Sequence, residues 1–198
     1  SERQFPYNHT YQKMIRDMGN IAPKDKYVNV IFNGVNWGIM NIEEHISSEL
    51  LEKQKRKNSL VLRFGNEKNW KKNNAHPLYL ISDPSINYNV YNDKQTFKNI
   101  NNRRIITYIY RDKNPNNSNL FDYESFSNSL ISSSIWGNYH SLLNNNTRFY
   151  FNPYILKLEL ITTDQEGFKL ISNLNDFSHS HLPINFKNLL RDRDFQIY

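Results

Sequence analysis

The sequence predicts an α+β fold, and three consecutive segments predict it. Residues 28–44 alternate apolar and polar side chains around an Asn-Gly pair, which is typical of a β-hairpin with a tight turn. Ser47 can then cap a helix over 47–56 that carries Leu50 and Leu51 on its apolar side. The segment SLVLRFG that follows has the pattern of a short buried strand. A helix held between two sheet elements is an α+β arrangement.

Composition indicates a globular protein and excludes several kinds of site. The chain has 198 residues, of which 38% are hydrophobic and 14% aromatic, enough for a shared core in one domain or two small lobes. Cysteine is absent, so disulfides and thiolate metal sites are excluded. No apolar run approaches the roughly 18–20 residues of a membrane span, and the first residues lack the apolar core of a signal peptide.

The net charge of +6 raises the question of a nucleic-acid partner. Basic residues concentrate at 53–57 (KQKRK) and 68–72 (KNWKK), whereas acidic residues are interleaved elsewhere. We interpret both runs as solvated faces of a helix and a loop. Because no concentrated basic face carries interleaved aromatic residues, a nucleic-acid-binding module ranks last among the functional classes, and no nucleic-acid partner is expected.

The C-terminal part of the chain predicts a second helix and a second hairpin. Asp122 can cap a helix that ends at Gly137, with Phe126, Leu130 and Ile131 on one side. The segments TRFYFNP and KLELITTD follow as two strands joined by a turn at Asn-Pro.

Between these elements and the N-terminal ones, the pattern weakens. Residues 66–119 contain strand or helix fragments between Asn-rich loops, as expected of an insertion, and RDKNPNNSN at 111–119 is a plausible boundary. We therefore predict an N-terminal lobe of residues 1–119, which contains the hairpin, the first helices and a variable insertion, and a C-terminal lobe of residues 120–198.

Glu44 follows the first hairpin on the same side as Met40 and Ile42, where a carboxylate needs a cationic partner. Arg63 in LVLRFG can be that partner if the two strands are neighbours. The same pair is also compatible with an ordinary ion pair of an edge strand.

Gly34 and Gly38 lie at the tip of the hairpin, in NGVNWG. Glycines let backbone amides approach a phosphate closely. A hairpin turn needs Asn-Gly for its positive φ in any case, so a turn without a ligand is the alternative.

A histidine and three asparagines precede the strand RFYF, in GNYHSLLNNNTRFYF. They suit either a polar turn or a site where an imidazole (His140) and carboxamides (Asn145, Asn146) meet a ligand. Asp164 ends KLELITTD, and such a carboxylate suits a cation that also binds phosphate oxygens; the alternative is a turn aspartate.

In this order, NGVNWGIMNIEEH, SSELLEKQKRKNSLVLRFG and FDYESFSNSLISSSIWGNYHSLLNNNTRFYFNPYILKLELITTD resemble the CotH family, which is named for a spore coat protein and related to the protein-kinase fold. The resemblance covers residues 20–70 and 120–167 and leaves the middle unmatched. It implies a reduced, protein-kinase-like two-lobe fold. The implied activity is ATP-dependent transfer of a phosphoryl group to a Ser or Thr hydroxyl of an acceptor protein, by an atypical bacterial kinase of a spore coat or cell envelope.

The resemblance also assigns roles to residues, because phosphoryl transfer needs a phosphate cradle, a cation on the phosphates and metal ligands. At the nucleotide it implies Gly34, Gly38, Glu44 and Arg63. At magnesium or manganese it implies Asn145, Asn146 and Asp164. The catalytic residues would be His140 and Asp164.

Two departures from the kinase pattern leave an alternative open. His140 stands five residues before Asn145, where protein kinases have a catalytic Asp, and imidazole accepts a proton without remaining anionic. Arg63 stands in place of the usual Lys. The alternative is a weak or inactive pseudokinase that acts as a structural scaffold of a coat or envelope.

Overall fold

The computed structural model describes residues 6–62, 104, 120–143, 146–170 and 189–197. The helices are α1 (Tyr7–Asp17), α2 (Ser48–Lys53), α3 (Tyr123–Trp136) and α4 (Arg193–Ile197), and a short 3-10 helix covers His140–Leu142. The strands are β1 (Asp25–Phe32), β2 (Val35–Glu43), β3 (Val61–Leu62), β4 (Arg148–Asn152) and β5 (Lys157–Ile161). The predicted α+β class is confirmed. None of the described helices is long and apolar enough to cross a membrane.

β1 and β2 form the first predicted hairpin, which is a two-stranded antiparallel sheet of its own. Asn33 (φ 51°) and Gly34 (φ 78°) make its turn, and two successive residues at positive φ are what a type I′ turn requires. The pairing register skips Trp37, so β2 bulges there, next to Gly38 at φ 83°. The hairpin was therefore predictable from its turn residues.

The central sheet is antiparallel, in the order β3-β4-β5. Its side chains alternate between two buried layers, since successive residues of a strand point to opposite faces. One layer packs against Phe126 of α3 and comprises Leu60, Leu62, Phe149, Phe151, Leu158 and Leu160. The other packs against Leu50 and Leu51 of α2 and comprises Val61, Tyr150 and Ile161. Burial on both faces explains the nearly continuous apolar runs LVL and RFYF.

A Glu44–Arg63 pair was expected only for the case that β3 neighbours the first hairpin, but in the described residues these strands lie in separate sheets. β3 pairs with β4 instead, with Val61 opposite Tyr150. The physical reason is that β3 is apolar on both faces and needs cover on both, which the central sheet provides. The hairpin alternates polar and apolar residues and stays largely exposed, with Ile31, Trp37 and Ile39 all more than half exposed.

Helix α1 packs beside α3 through a third apolar cluster, formed by Tyr11, Ile15, Ala22 and Trp136. The sequence pattern over 11–18 predicts a short helix that Gly19 stops; the observed helix ends there, with Gly19 at φ 90°, but begins four residues earlier, at Tyr7. The added turn brings Asn8 into the interior, where it is 1% exposed.

Helix α3 has the ends that its sequence predicts. The Asp122 side chain accepts a hydrogen bond from Ser125 N (3.0 Å), and Gly137 ends the helix at φ 72°. A Cβ at Gly137 would lie 2.1 Å from the Lys169 carbonyl oxygen. The backbone of the segment after β5 therefore passes too close to this position for any residue other than glycine. The predicted apolar side is wrong at Ile131, which is 52% exposed; α3 instead buries Ser125, Ser129, Ser132 and Ser133.

Candidate functional site

The site is built where α3 ends and the chain turns toward β4. Asn138 makes this turn: its Oδ1 accepts a hydrogen bond from His140 N (3.0 Å), and its Nδ2 donates to Glu166 Oε2 (3.4 Å) and Gly167 O (3.3 Å). Trp136 Nε1 also donates to Glu166 O (3.1 Å). The end of α3 is thereby joined to the segment after β5.

His140 lies between two carboxylates. Its Nδ1 is 3.1 Å from Glu166 Oε1, and its Nε2 is 3.7 Å from Asp164 Oδ2. Both are electrostatic contacts between the ring and a carboxylate, and the contact with Glu166 is the closer one. The three side chains are between 24% and 33% exposed, so the group is partly buried and still open to a ligand.

Asp164 was predicted to end a strand. β5 ends earlier, at Ile161, so Asp164 lies in the irregular segment that follows. Thr163 Oγ1 donates to Asn146 O (2.6 Å), and this bond fixes the segment between β5 and Asp164 against the loop before β4. Asp164 itself is left-handed, with φ 57°. Non-glycine residues in this conformation are uncommon and concentrate at functional sites and turns.

Asn146 belongs to the same group. It is 7% exposed, and its Nδ2 donates to the His140 carbonyl oxygen (2.9 Å), which orients the carboxamide. Asn145, the other predicted metal ligand, lies outside the described residues. His140, Asn146 and Asp164 are thus three predicted site residues that the fold brings together.

The residues predicted at the nucleotide lie on and after the first hairpin. Glu44 pairs with Lys53 of α2 (2.9 Å) and accepts a hydrogen bond from Lys24 N (3.3 Å). Lys53 is thus a cationic partner of Glu44 that we did not predict, and Arg63, the expected partner, lies outside the described residues. At the tip, Gly38 N donates to Asn36 Oδ1 (2.8 Å), which stabilises the bulge.

A chain of bonded residues connects the base of the hairpin to the Asp164 segment. Asn8 of α1 donates through Nδ2 to Asp25 Oδ2 (3.3 Å), at the start of β1 and next to Lys24. The Asn8 Oδ1 accepts from Gln165 N (2.9 Å), next to Asp164. Glu44 and Asp164 are therefore joined by a short path of hydrogen bonds and neighbouring residues.

Two residues of this site, Gln165 and Glu166, were not among the predicted site residues. Both follow Asp164 in an irregular segment, where no periodicity indicates which side chains converge. The one signal in the sequence is the second carboxylate two residues after Asp164.

The side chains present fit a magnesium ion that is shared with phosphates. Within the described ranges, no group of three or more His, Cys, Asp and Glu residues could hold a metal by itself. Mg²⁺ bound to a nucleotide does not need such a group, since it takes one or two carboxylates, phosphate oxygens and water. Asp164 and Glu166 supply two carboxylates that contact His140, and Asn146 supplies a carboxamide that is bonded to the His140 carbonyl oxygen.

No protein-family model matches this chain, and no curated protein matches it either. The resemblance of its motifs to the CotH family therefore stays a hypothesis, and the functional argument depends on the geometry of His140, Asn146, Asp164 and Glu166.

Proposed function

We propose that this chain is a CotH-like, kinase-related phosphotransferase that binds ATP with Mg²⁺ or Mn²⁺ and phosphorylates a Ser or Thr hydroxyl of a protein. The observation that supports it most is the convergence of His140, Asn146 and Asp164. These residues are separated by up to 24 positions, were assigned by the resemblance to the CotH family, and lie in one group in which His140 contacts Asp164 and Asn146 is hydrogen-bonded to His140.

In this proposal, Asp164 and Glu166 hold the metal, with the Asn146 carboxamide beside them. When bound, the metal supplies positive charge against the phosphate oxygens. Asp164 and Asn146 are kept at one spacing by the Thr163–Asn146 hydrogen bond. The ligands therefore need little reorganisation when the nucleotide binds.

His140 acts as the general base on the acceptor hydroxyl. Glu166 Oε1 lies 3.1 Å from Nδ1, and a neutral ring that carries its proton on this nitrogen keeps its lone pair on Nε2. A carboxylate that orients a histidine in this way is the arrangement used to activate serine nucleophiles. Glu166 thus offers a physical reason why an imidazole can stand where kinases have an aspartate.

Nucleotide binding is the first test of this function. A thermal-shift titration with ATP and Mg²⁺ or Mn²⁺ should raise the melting temperature of the parent, and metal alone or ATP alone should raise it less. Transfer of labelled phosphate to a casein-type mixed Ser/Thr substrate, or to the chain itself, then tests catalysis. A parent that shows no metal-dependent nucleotide binding would refute the proposal.

The second candidate is a pseudokinase that acts as a scaffold of a coat or envelope. The contact of both imidazole nitrogens with carboxylates favours it, because a ring that directs N–H groups at both Asp164 and Glu166 has no lone pair left to accept a proton. His140→Gln separates the candidates. In an enzyme it should abolish transfer and keep nucleotide binding, whereas in a pseudokinase parent and variant should both bind without transfer.

A further inference from the structure

Gln165 lies between Asp164 and Glu166, and its side chain is fully buried, at 0% exposure. Its Oε1 accepts a hydrogen bond from Ser141 N (2.9 Å), and its Nε2 donates to Asn138 O (2.7 Å). These two partners are the residue after His140 and the residue two before it. One side chain therefore holds the backbone on both sides of His140.

The backbone of Gln165 is held as well. Its N–H donates to Asn8 Oδ1 (2.9 Å), and Asn8 is bonded through Nδ2 to Asp25 at the base of the first hairpin. Asn8 is 1% exposed, so both carboxamides of this path are shielded from water. Hydrogen bonds in such a shielded network hold their geometry more firmly than exposed ones.

Only a carboxamide of this length fits both bonds. The position needs one acceptor for Ser141 N and one donor for Asn138 O; Glu lacks the donor, and Met lacks both groups. Asn has the right groups but is one methylene shorter. Packing alone does not require this chemistry, because an apolar residue would fill the space without needing partners.

We propose that Gln165 is a positioning residue that sets the distance between the His140 imidazole and the carboxylates of Asp164 and Glu166, and so tunes metal-dependent nucleotide binding. The inference rests on the proposed function. Gln165 touches neither the nucleotide nor the metal; it acts through the backbone on both sides of His140, whose ring contacts the Asp164 and Glu166 carboxylates. Residues of this kind typically change metal affinity by about 10- to 100-fold when they are replaced.

Gln54 provides a matched control. Its carboxamide also bridges two backbone groups, since Oε1 accepts from Ala22 N (3.1 Å) and Nε2 donates to Ala22 O (2.8 Å). Gln54→Met removes the same two kinds of hydrogen bond as Gln165→Met, at a position whose partners are not site residues. Both variants should lose stability, so thermal stability alone does not distinguish positioning from structure.

The experiment measures free Mn²⁺ by electron paramagnetic resonance during a titration of the full chain in the presence of ATP, at a temperature where parent, Gln165→Met and Gln54→Met are all folded. We expect Mn²⁺ affinity to fall about 10-fold or more in Gln165→Met and less than about 2-fold in Gln54→Met. Gln165→Glu is a second variant, which keeps the acceptor for Ser141 N and loses the donor.

A metal-free measurement accompanies the titration. Amide hydrogen exchange should quicken at Ser141 in Gln165→Met and at Ala22 in Gln54→Met, which shows that each hydrogen bond has been lost. If Ser141 loses protection while Mn²⁺ affinity stays at the parental value, Gln165 has a structural role only and the inference is overturned. If the parent binds no Mn²⁺ with ATP, the proposed function fails and the inference fails with it.

Discussion

Asp164 combines a carboxylate that faces His140 with a left-handed backbone at φ 57°. Asn tolerates this conformation almost as well as Asp, so Asp164→Asn removes the charge without adding backbone strain. We expect metal-dependent ATP binding to fall at least about 10-fold, or about 1.4 kcal/mol, as measured by calorimetric titration. The melting temperature without ligand should change little, because the carboxylate is partly exposed.

Asp17→Asn is the control for this variant, since Asp17 is exposed and pairs with Lys13 on the surface of α1. It should bind nucleotide as the parent does. Parental ATP and Mg²⁺ binding by Asp164→Asn would show that the assignment of the metal site is wrong. Strong destabilisation of the metal-free protein would instead make Asp164 a structural turn residue.

At the scale of single residues, the sequence predicts those that belong to a spaced motif. The resemblance assigned His140, Asn146 and Asp164, and the fold joins them. Glu166 and Gln165 were not found, because their roles depend on how an irregular segment folds against Asn138 and Ser141. Spacing along a sequence does not specify contacts of this kind.

Arg56 and Glu159 form a buried ion pair that attaches the segment after α2 to β5. Arg56 Nε lies 2.8 Å from Glu159 Oε2, and the Glu159 side chain is only 5% exposed. Arg56→Met leaves this carboxylate without its cation in a poorly hydrated place. We expect the free energy of unfolding in urea to fall by about 3 kcal/mol.

Two comparisons make this test specific to the buried charge. Arg56→Met/Glu159→Met removes both charges and should recover part of the loss, since no unpaired ion remains. Lys53→Met breaks the exposed pair with Glu44 and should hardly change the urea midpoint. If the double variant is less stable than Arg56→Met, Glu159 is satisfied by Asn152 alone and the ion pair is not what stabilises this contact.

Tyr11 joins α1 to both α3 and the 3-10 helix, since its hydroxyl is bonded to Ser133 Oγ (2.6 Å) and accepts from Ser141 Oγ (3.1 Å). Burial raises the pKa of Tyr11 to about 12. The unfolded chain releases this proton near pH 10. The stabilisation is therefore complete below about pH 10 and is lost as the pH rises toward 12, by at most about 1.4 kcal/mol per pH unit.

Tyr11→Phe should reduce this alkaline loss, as measured by urea unfolding between about pH 9 and pH 11.5. Part of the loss should remain, because burial and the Glu159 charge also raise the pKa of Tyr150 to about 12. Tyr154→Phe is a control, since Tyr154 is 76% exposed. An unchanged pH slope in Tyr11→Phe would mean that the Tyr11 hydroxyl is hydrated in the folded protein.

Elements whose ends carry their own signals were predictable. The Asp122 cap, the Gly137 end of α3 and the Asn33-Gly34 turn are local, and each lies where the sequence indicates. The partner of β3 was not predictable, because an apolar strand is compatible with any central sheet position. The buried side of α3 was predicted only in part: Phe126 and Leu130 pack on the core, but the four buried serines give no apolar periodicity.

The whole molecule is held together by contacts between the two predicted lobes, 1–119 and 120–198. β3 completes the sheet of β4 and β5, and Phe151 N donates to Leu60 O (2.8 Å). Ile21 forms a bridge with Ile161, and Tyr11 packs against Trp136 at 5.6 Å. The lobe boundary itself stays a prediction, but the described parts of both lobes share one core.

A split chain tests how far the two parts depend on each other. Residues 120–198 alone would expose one edge of β4 and the apolar layer that α2 covers, so we expect no cooperative thermal transition from this fragment. Mixing it with residues 1–119 should restore a transition and the near-ultraviolet signal of its buried aromatic residues. The same mixture with Leu62→Asp should fail, because Leu62 is 1% exposed and a carboxylate there would be buried without a partner. A cooperative transition from residues 120–198 alone would contradict this expectation, and the C-terminal lobe would then be an independent folding unit that carries His140, Asp164 and Glu166 by itself.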